Sequence, residues 1–173
     1  MSTVPAPSGP TYRICFVCTG NICRSPVAEV VMRRLVEDDG LAGVVEVDSA
    51  GTGAWHVGHA ADPRAMTSLR AGGYDGSGHH ARVFEPAWIA ERDLVVALDR
   101  GHLRELHAMA TSEADRDKVR LLRSFDEEAP AGSDVADPYD GDARDFALVL
   151  AQVERACGGL LEQVARVLPG DRV

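Results

Sequence analysis

The segment from Val17 to Glu29 brings together residue types that can bind and attack an oxyanion. Cys18 and Arg24 lie six positions apart, with Gly20 and Asn21 between them. A cysteine thiolate is a nucleophile, and a guanidinium group presents a planar fork of donors that matches two phosphate oxygens. The sequence of this segment alone allows four interpretations: a metal site, a disulfide, a redox pair, or an anion-binding loop that carries a nucleophile.

The elements around this segment favour the anion-binding loop. The run YRICFVC (12–18) predicts a buried strand that Gly20 ends, and SPVAEVVMRRLVEDDG (25–40) predicts a helix with Ser25 as its N-cap. A strand that turns through glycine into a helix N-terminus directs backbone N–H groups and the helix dipole at one point. We therefore expect a bound phosphoryl group there, with the thiolate of Cys18 in line with phosphorus.

The other interpretations have less support in the sequence. Cys15 and Cys18 have C-x-x-C spacing, but they lie inside the apolar run rather than at a helix start. A zinc site needs further ligands, whereas Cys157 is expected to be a core residue on a distant helix. The six histidines, at positions 56, 59, 79, 80, 102 and 107, show no ligand signature. A structural loop with an incidental thiol stays open as the plainest alternative.

The 173 residues, 45% of them hydrophobic, suit one domain with a single core. The net charge of −9 argues against a nucleic-acid partner, and no apolar run is long enough to span a bilayer. Residues 1–10 lack the basic and apolar regions of a secretory signal, so we expect a cytoplasmic protein with reduced thiols. Because these residues include three prolines, we predict a flexible lead before a domain at 11–170.

The rest of the chain alternates strand and helix patterns. Further strands are predicted at 44–49, 93–98 and 118–122, and helices at 62–73 and 101–110. This alternation predicts an α/β fold with a parallel sheet and helices on both faces. A long acidic loop (124–141) then precedes a terminal helix, whose apolar face runs from Phe146 to Leu168. The adjacent Gly158 and Gly159 predict a kink or break in this helix.

Three motifs in order identify a family. CTGNICRS (18–25), SAGTGAWHVG (49–58) and DPY (137–139) resemble the low-molecular-weight protein tyrosine phosphatases, and the resemblance extends from Tyr12 to the terminal helix. It implies a Rossmann-like, phosphotyrosine phosphatase I type fold: one domain with a four-stranded parallel sheet and flanking helices. It also implies catalysis without a metal or other cofactor, through a covalent phosphocysteine.

The resemblance assigns three catalytic roles. Cys18 matches the nucleophile, Arg24 the residue that binds phosphate, and Asp137 the general acid that protonates the tyrosine oxygen and later assists water. A phenol with a pKa of about 10 leaves poorly as the anion, so the acid is needed. Among the many acidic residues of its loop, only the DPY match selects Asp137. The phosphate-binding loop would comprise Thr19, Gly20, Asn21, Ile22, Cys23 and Ser25.

Supporting roles follow from the same resemblance. Asn21, Ser25, Ser49 and His79 match positions that hold the loop in shape, although His80 beside His79 leaves a second alignment open. Trp55 and Tyr139 match aromatic walls for a flat substrate ring, and packing is the alternative for Trp55.

Three further positions bear on specificity and regulation. Ile22 stands where related arginine phosphatases carry threonine, which favours phosphotyrosine. Asp140 replaces a second aromatic residue after DPY, so we expect an acidic rim and substrates with basic flanking residues. Cys23 is implied to form a reversible disulfide with Cys18 under oxidation, which would protect the nucleophile.

The predicted function is hydrolysis of phosphotyrosine in proteins, and of small aryl phosphates, with inorganic phosphate as product. A cytoplasmic signalling enzyme that acts as a monomer is expected. The alternatives are an arsenate reductase, for which Cys157 is the only downstream cysteine, a protein arginine phosphatase, and a noncatalytic phosphotyrosine-binding module.

Overall fold

Four parallel strands form the centre of the molecule. The computed structural model describes residues 3–170. The strands are β1 (Tyr12–Cys18), β2 (Val45–Gly51), β3 (Leu94–Ala97) and β4 (Val119–Leu121), in the order β2-β1-β3-β4. The two central strands, β1 and β3, are almost entirely buried because helices cover both faces.

The helices of the described chain are α1 (Arg24–Asp38), α2 (Pro63–Ala71), α3 (Trp88–Glu91), α4 (Arg100–Met109), α5 (Glu113–Asp117) and α6 (Ala143–Val167), with a 3-10 helix at Leu122–Phe125. Side chains alternate across each strand, so β1 contributes to two apolar clusters. Phe16 packs with residues of α1 and α6, whereas Val17 packs with residues of α3 and α4. The predicted parallel α/β fold, with helices on both faces, is confirmed. Among the described elements, α3, α5 and the 3-10 helix are too short for periodicity to have indicated them.

Two helix predictions need correction. Helix α1 begins at Arg24, with Cys23 at the N-cap position and no side-chain cap, so the predicted N-cap at Ser25 is wrong. The Ser25 side chain instead lies inside the first turn and contacts Cys18. Helix α6 runs unbroken through Gly158 and Gly159. The predicted break is absent because a long buried face, packed against α1 and the sheet, holds the helix together.

Within the predicted lead, Val4, Pro5 and Ser8 contact the domain, in contrast to the prediction of a mobile segment. Val4 is only 2% exposed and belongs to the main core. The Tyr12 hydroxyl donates to the Pro5 carbonyl over 2.9 Å, and the Ser8 hydroxyl donates to Asp93 over 2.7 Å. Prolines restrict the chain before folding, so fixing this segment costs little conformational entropy. The start of the predicted lead, residues 1 and 2, lies outside the described residues. Within residues 3–170, no helix has the length and apolarity needed to cross a membrane.

Candidate active site

The segment between β1 and α1 curls into a loop at the carboxyl end of the sheet. Cys18 is the last residue of β1, and α1 starts at Arg24. Among the described residues, Asn21 is the one non-glycine residue with a positive φ, at 57°. Asparagine tolerates this left-handed conformation because its short polar side chain forms local hydrogen bonds. The loop can therefore turn sharply next to Gly20 and bring Arg24 back towards Cys18.

A chain of hydrogen bonds leads away from the Cys18 sulfur. It lies 2.9 Å from Ser25 Oγ, and Asn21 Nδ2 donates to Ser25 Oγ (2.8 Å) and Ser49 Oγ (2.9 Å). Ser49 Oγ donates to Glu29 Oε1 over 2.6 Å. Since Ser25 accepts from Asn21, its own proton has two acceptors within reach, the Cys18 sulfur at 2.9 Å and the Ala50 carbonyl oxygen at 3.4 Å, and the sulfur is the nearer. The Ser25 hydroxyl is thus placed to donate a hydrogen bond to the Cys18 sulfur.

The remaining polar atoms of Asn21 are also held. Its Oδ1 accepts from the Arg82 backbone amide over 3.0 Å, and its carbonyl oxygen lies 2.7 Å from His79 Nε2. Because a carbonyl oxygen only accepts, His79 Nε2 is the donor. The structure therefore brings His79 against the loop, while the neighbouring His80 is exposed.

Arg24 lies beneath the loop and is held from two sides. Only 4% of the residue is exposed. Its Nη1 donates to Asp99 Oδ2 (2.9 Å) and the Val135 carbonyl (3.1 Å). Burial alone would raise the pKa of Asp99, but a hydrogen bond from the His102 backbone amide, together with the hydrogen bond and positive charge of Arg24, holds it below its usual range. Asp99 therefore remains a carboxylate and fixes the guanidinium in place.

Asp137 lies at the mouth of the site. Its side chain is 62% exposed, and its Oδ2 is 3.7 Å from Arg24 Nη2. Its Oδ1 accepts from the Tyr139 backbone amide over 3.1 Å. An exposed carboxyl group this close to the guanidinium can exchange protons with a group bound at the loop.

These groups open into one cavity of about 290 Å³. Its base is formed by the loop and its walls by the aromatic and acidic residues; the lining is Cys18, Thr19, Gly20, Ile22, Cys23, Arg24, Trp55, His56, Asp137, Tyr139 and Asp140. Trp55 is 75% exposed, so it stands at the rim rather than in the core. The packing alternative for Trp55 thus has no support from burial.

Arg64 supports the wall formed by Tyr139. Its guanidinium lies 5.8 Å from the Tyr139 ring centroid and 4.7 Å from that of Phe146. It also donates to the Gly141 carbonyl over 3.1 Å and is paired with Asp62. These contacts tie the DPY segment to α2 and α6.

The cysteines differ in their surroundings, and all four are free thiols. Burial, followed by the negative charges of Asp62 and Cys18, raises the pKa of Cys23 to about 12. Cys15 and Cys18 belong to the clusters on opposite faces of the sheet, so the C-x-x-C spacing does not make a redox pair. Cys157 is fully buried in the core, as expected. The disulfide between Cys18 and Cys23 stays a prediction.

Several residues that contact the site were not selected from the sequence. They are Glu29, Arg64, Arg82, Asp99 and His102. The position of Asp99 could have been predicted in part from the sequence. Asp99 follows a predicted strand, and parallel strands place their carboxyl ends on the same edge of the sheet, where the Cys18 loop also lies. The others are brought in by tertiary packing alone.

Comparison with known proteins defines the class. The family model described as "Low molecular weight phosphotyrosine protein phosphatase" matches residues 13–169. The chain belongs to this family.

Its relatives cover nearly the whole domain. A low molecular weight protein-tyrosine-phosphatase of Streptomyces coelicolor is 55% identical over 161 residues, 92% of this chain and 98% of the relative. Low molecular weight protein-tyrosine phosphatase A of Mycobacterium tuberculosis is 47% identical over 87% of this chain and 90% of its own length. The crystal structure of a protein tyrosine phosphatase from Entamoeba histolytica, with Hepes in the active site, is similar with a TM-score of 0.85 at 30% identity, covering 90% of this chain and 98% of that one. The family, the fold and the enzyme class predicted from the sequence are confirmed.

Proposed function

We propose that this chain hydrolyses phosphotyrosine in proteins, and small aryl phosphates, through a phosphocysteine on Cys18. The observation that carries the proposal is that Cys18, Arg24 and Asp137 line one cavity whose walls include two aromatic rings. A binding module would need neither the nucleophile nor the acid. Family membership supports the same reaction.

In the first step, the Cys18 thiolate attacks phosphorus as the bond from phosphorus to the phenolic oxygen breaks. Asp137 transfers its proton to that oxygen, so tyrosine leaves as a neutral phenol. Arg24 holds two equatorial phosphate oxygens, because its position is fixed by Asp99. The products are free tyrosine on the protein and a phosphocysteine.

In the second step, water attacks the phosphorus of the phosphocysteine. Asp137, now a carboxylate, accepts a proton from the water, and the bond between sulfur and phosphorus breaks. The leaving thiolate receives the hydrogen bond of Ser25, 2.9 Å away. Inorganic phosphate is released and the starting protonation states are restored. Asn21, Ser49 and His79 act by holding the loop and Ser25 in place.

The depth and lining of the cavity support an aromatic substrate. Cys18 is 3% exposed at the base, whereas Trp55 and Tyr139 stand at the rim, so a long flat side chain can reach the sulfur. Ile22 supplies an apolar wall suited to a phenyl ring rather than to a guanidinium group. Asp140 at the rim favours basic residues next to the phosphotyrosine.

The setting of the enzyme is also part of the proposal. We infer a cytoplasmic protein that acts in signalling as a monomer. The four free thiols support a reducing compartment.

The reaction can be tested with a series of aryl phosphates whose leaving phenols differ in pKa, together with a phosphotyrosine peptide. We expect Cys18→Ser to lose turnover by about 10⁴-fold or more while it still binds inorganic phosphate. Asp137→Ala should lose about 10²–10³-fold in kcat with the most basic phenols and much less with acidic ones. Glu127→Ala, which removes an exposed carboxylate of the same loop, is the control.

Undiminished hydrolysis by Cys18→Ser would overturn the mechanism. Phosphate binding by the wild type without any turnover would instead indicate a binding module. Preferred turnover of phosphoarginine, or reduction of arsenate with a thiol donor, would indicate one of the two related enzymes.

A further inference from the structure

One buried histidine lies against the phosphate loop without a role in the proposed reaction. His102 is in the first turn of α4, and its side chain is 3% exposed. Its Nε2 lies 2.8 Å from Thr19 Oγ1. Its Nδ1 is buried 3.2 Å from Asp99 Oδ1, with no well-aligned hydrogen bond to any residue that the structure describes.

We propose that His102 is a positioning residue whose ring fastens the Thr19 end of the phosphate loop to the start of α4, next to the Arg24 end that Asp99 holds. Thr19 begins the loop and is held by the imidazole ring. Arg24 ends the loop and is held by Asp99, which also accepts from the His102 backbone amide over 2.9 Å. The inference rests on the proposed function of this site, because it concerns how phosphate is held there.

The surroundings of the ring decide which nitrogen carries the proton. A carboxylate oxygen only accepts, so a bare Nδ1 facing Asp99 Oδ1 would be repelled, whereas an N–H there is attracted. Nε2 is then the acceptor, and the Thr19 hydroxyl donates to it. In this assignment the Thr19 O–H donates to His102, so it is not available as a donor to bound phosphate, and the loop offers its backbone N–H groups instead.

The charges around the ring are consistent with one N–H and one acceptor. Burial, with the nearby charge of Arg24, lowers the pKa of His102, against the attraction of Asp99, Glu105 and Asp137. The ring is therefore neutral at neutral pH. A charged imidazolium would have two donors, and the Thr19 hydroxyl would have to rotate to accept.

A double-mutant cycle between His102 and Thr19 tests the connection. His102→Phe keeps a buried ring without polar atoms, Thr19→Val removes only the hydroxyl, and the third variant combines them. His102→Gln places an amide near the position of Nε2 and serves as the rescue. His107→Phe, on the same helix outside the site, is the control. The measurements are calorimetric binding of inorganic phosphate, kcat and KM with an aryl phosphate, and the melting temperature.

Each single variant should weaken phosphate binding and lower kcat/KM by about tenfold, the scale of one buried hydrogen bond. The double variant should be no worse than either single one, and His102→Gln should recover most of the loss. The control should bind phosphate as the wild type does.

Multiplicative losses in the double variant would overturn the proposal. So would a fall in melting temperature with unchanged phosphate binding, which indicates a role in folding only. Phosphate binding is measured without turnover, so these outcomes remain readable even if phosphotyrosine is not the substrate.

Discussion

At the scale of single residues, Asn21 does two things that separate substitutions can distinguish. It adopts a left-handed backbone conformation, with φ of 57°, and its side chain bonds to Ser25, Ser49 and the Arg82 backbone amide. Glycine tolerates the left-handed backbone conformation but has no side chain to form these hydrogen bonds. Alanine cannot form them either, and its Cβ atom disfavours the left-handed conformation.

We therefore expect Asn21→Gly and Asn21→Ala to lose activity to a similar extent, by about 10-fold or more in kcat/KM, because both release Ser25. Asn21→Ala should also be less stable than Asn21→Gly by about 1 kcal/mol, the order of the left-handed penalty. Urea unfolding and aryl phosphate kinetics provide the two measurements. Equal stabilities would show that the backbone strain is relieved by movement of the loop.

At the scale of elements, α6 contains two adjacent glycines with different surroundings. A methyl group at Gly158 would have no heavy atom within 4 Å outside its own helix and neighbours, whereas one at Gly159 would overlap the Phe125 carbonyl oxygen. Gly159 thus lets the 3-10 helix approach α6 closely.

Gly158→Ala should raise the free energy of unfolding by up to about 1 kcal/mol, because alanine is the better helix former. Gly159→Ala should lower it by about 1–3 kcal/mol, since the 3-10 helix must shift. Chemical denaturation of the two variants beside the wild type is a matched comparison, because the same methyl group is added one residue apart. Stabilisation by both substitutions would contradict the close approach.

The same helix shows what the sequence could not predict. Periodicity located α6 from Phe146 onwards, and glycine propensity then favoured a break, but tertiary contact decided the outcome. The residues of the active site also differ in how far the sequence could predict them. Local pattern indicated the Cys18 loop, family resemblance alone selected Asp137, and neither indicated Asp99, which meets Arg24 across 75 residues of sequence. That pairing follows from β1 and β3 being neighbours, which is a property of the completed sheet.

At the scale of the whole molecule, burial of ionisable groups makes the stability of the protein vary with pH in the alkaline range. Burial is the largest cause that raises the pKa of Cys15, Cys23, Cys157, Tyr12 and Tyr74, with Cys23 and Tyr74 each at about 12. In the unfolded chain, cysteine and tyrosine have pKa values of about 8.5 and 10. Above about pH 8.5 the unfolded chain therefore loses protons that the folded protein retains, and stability falls as pH rises.

Cys157 offers the cleanest test of this effect, because it is fully buried and lies away from the site. Its stabilising contribution as a neutral thiol should be complete below about pH 8 and should decrease by about 1.4 kcal/mol per pH unit above about pH 8.5. The difference in unfolding free energy between the wild type and Cys157→Ala should therefore shrink by that amount per unit between pH 9 and pH 10.5. Urea unfolding under reducing conditions measures it.

Val153→Ala is the matched control, because Val153 is equally buried on the same helix and cannot titrate. Its destabilisation should be independent of pH over the same range, since it comes only from the lost packing. A pH-independent difference for Cys157→Ala as well would mean that the folded protein ionises Cys157 as readily as the unfolded chain does. Water would then have to reach the thiol, and the packing of α6 in the core would be looser than its buried residues indicate.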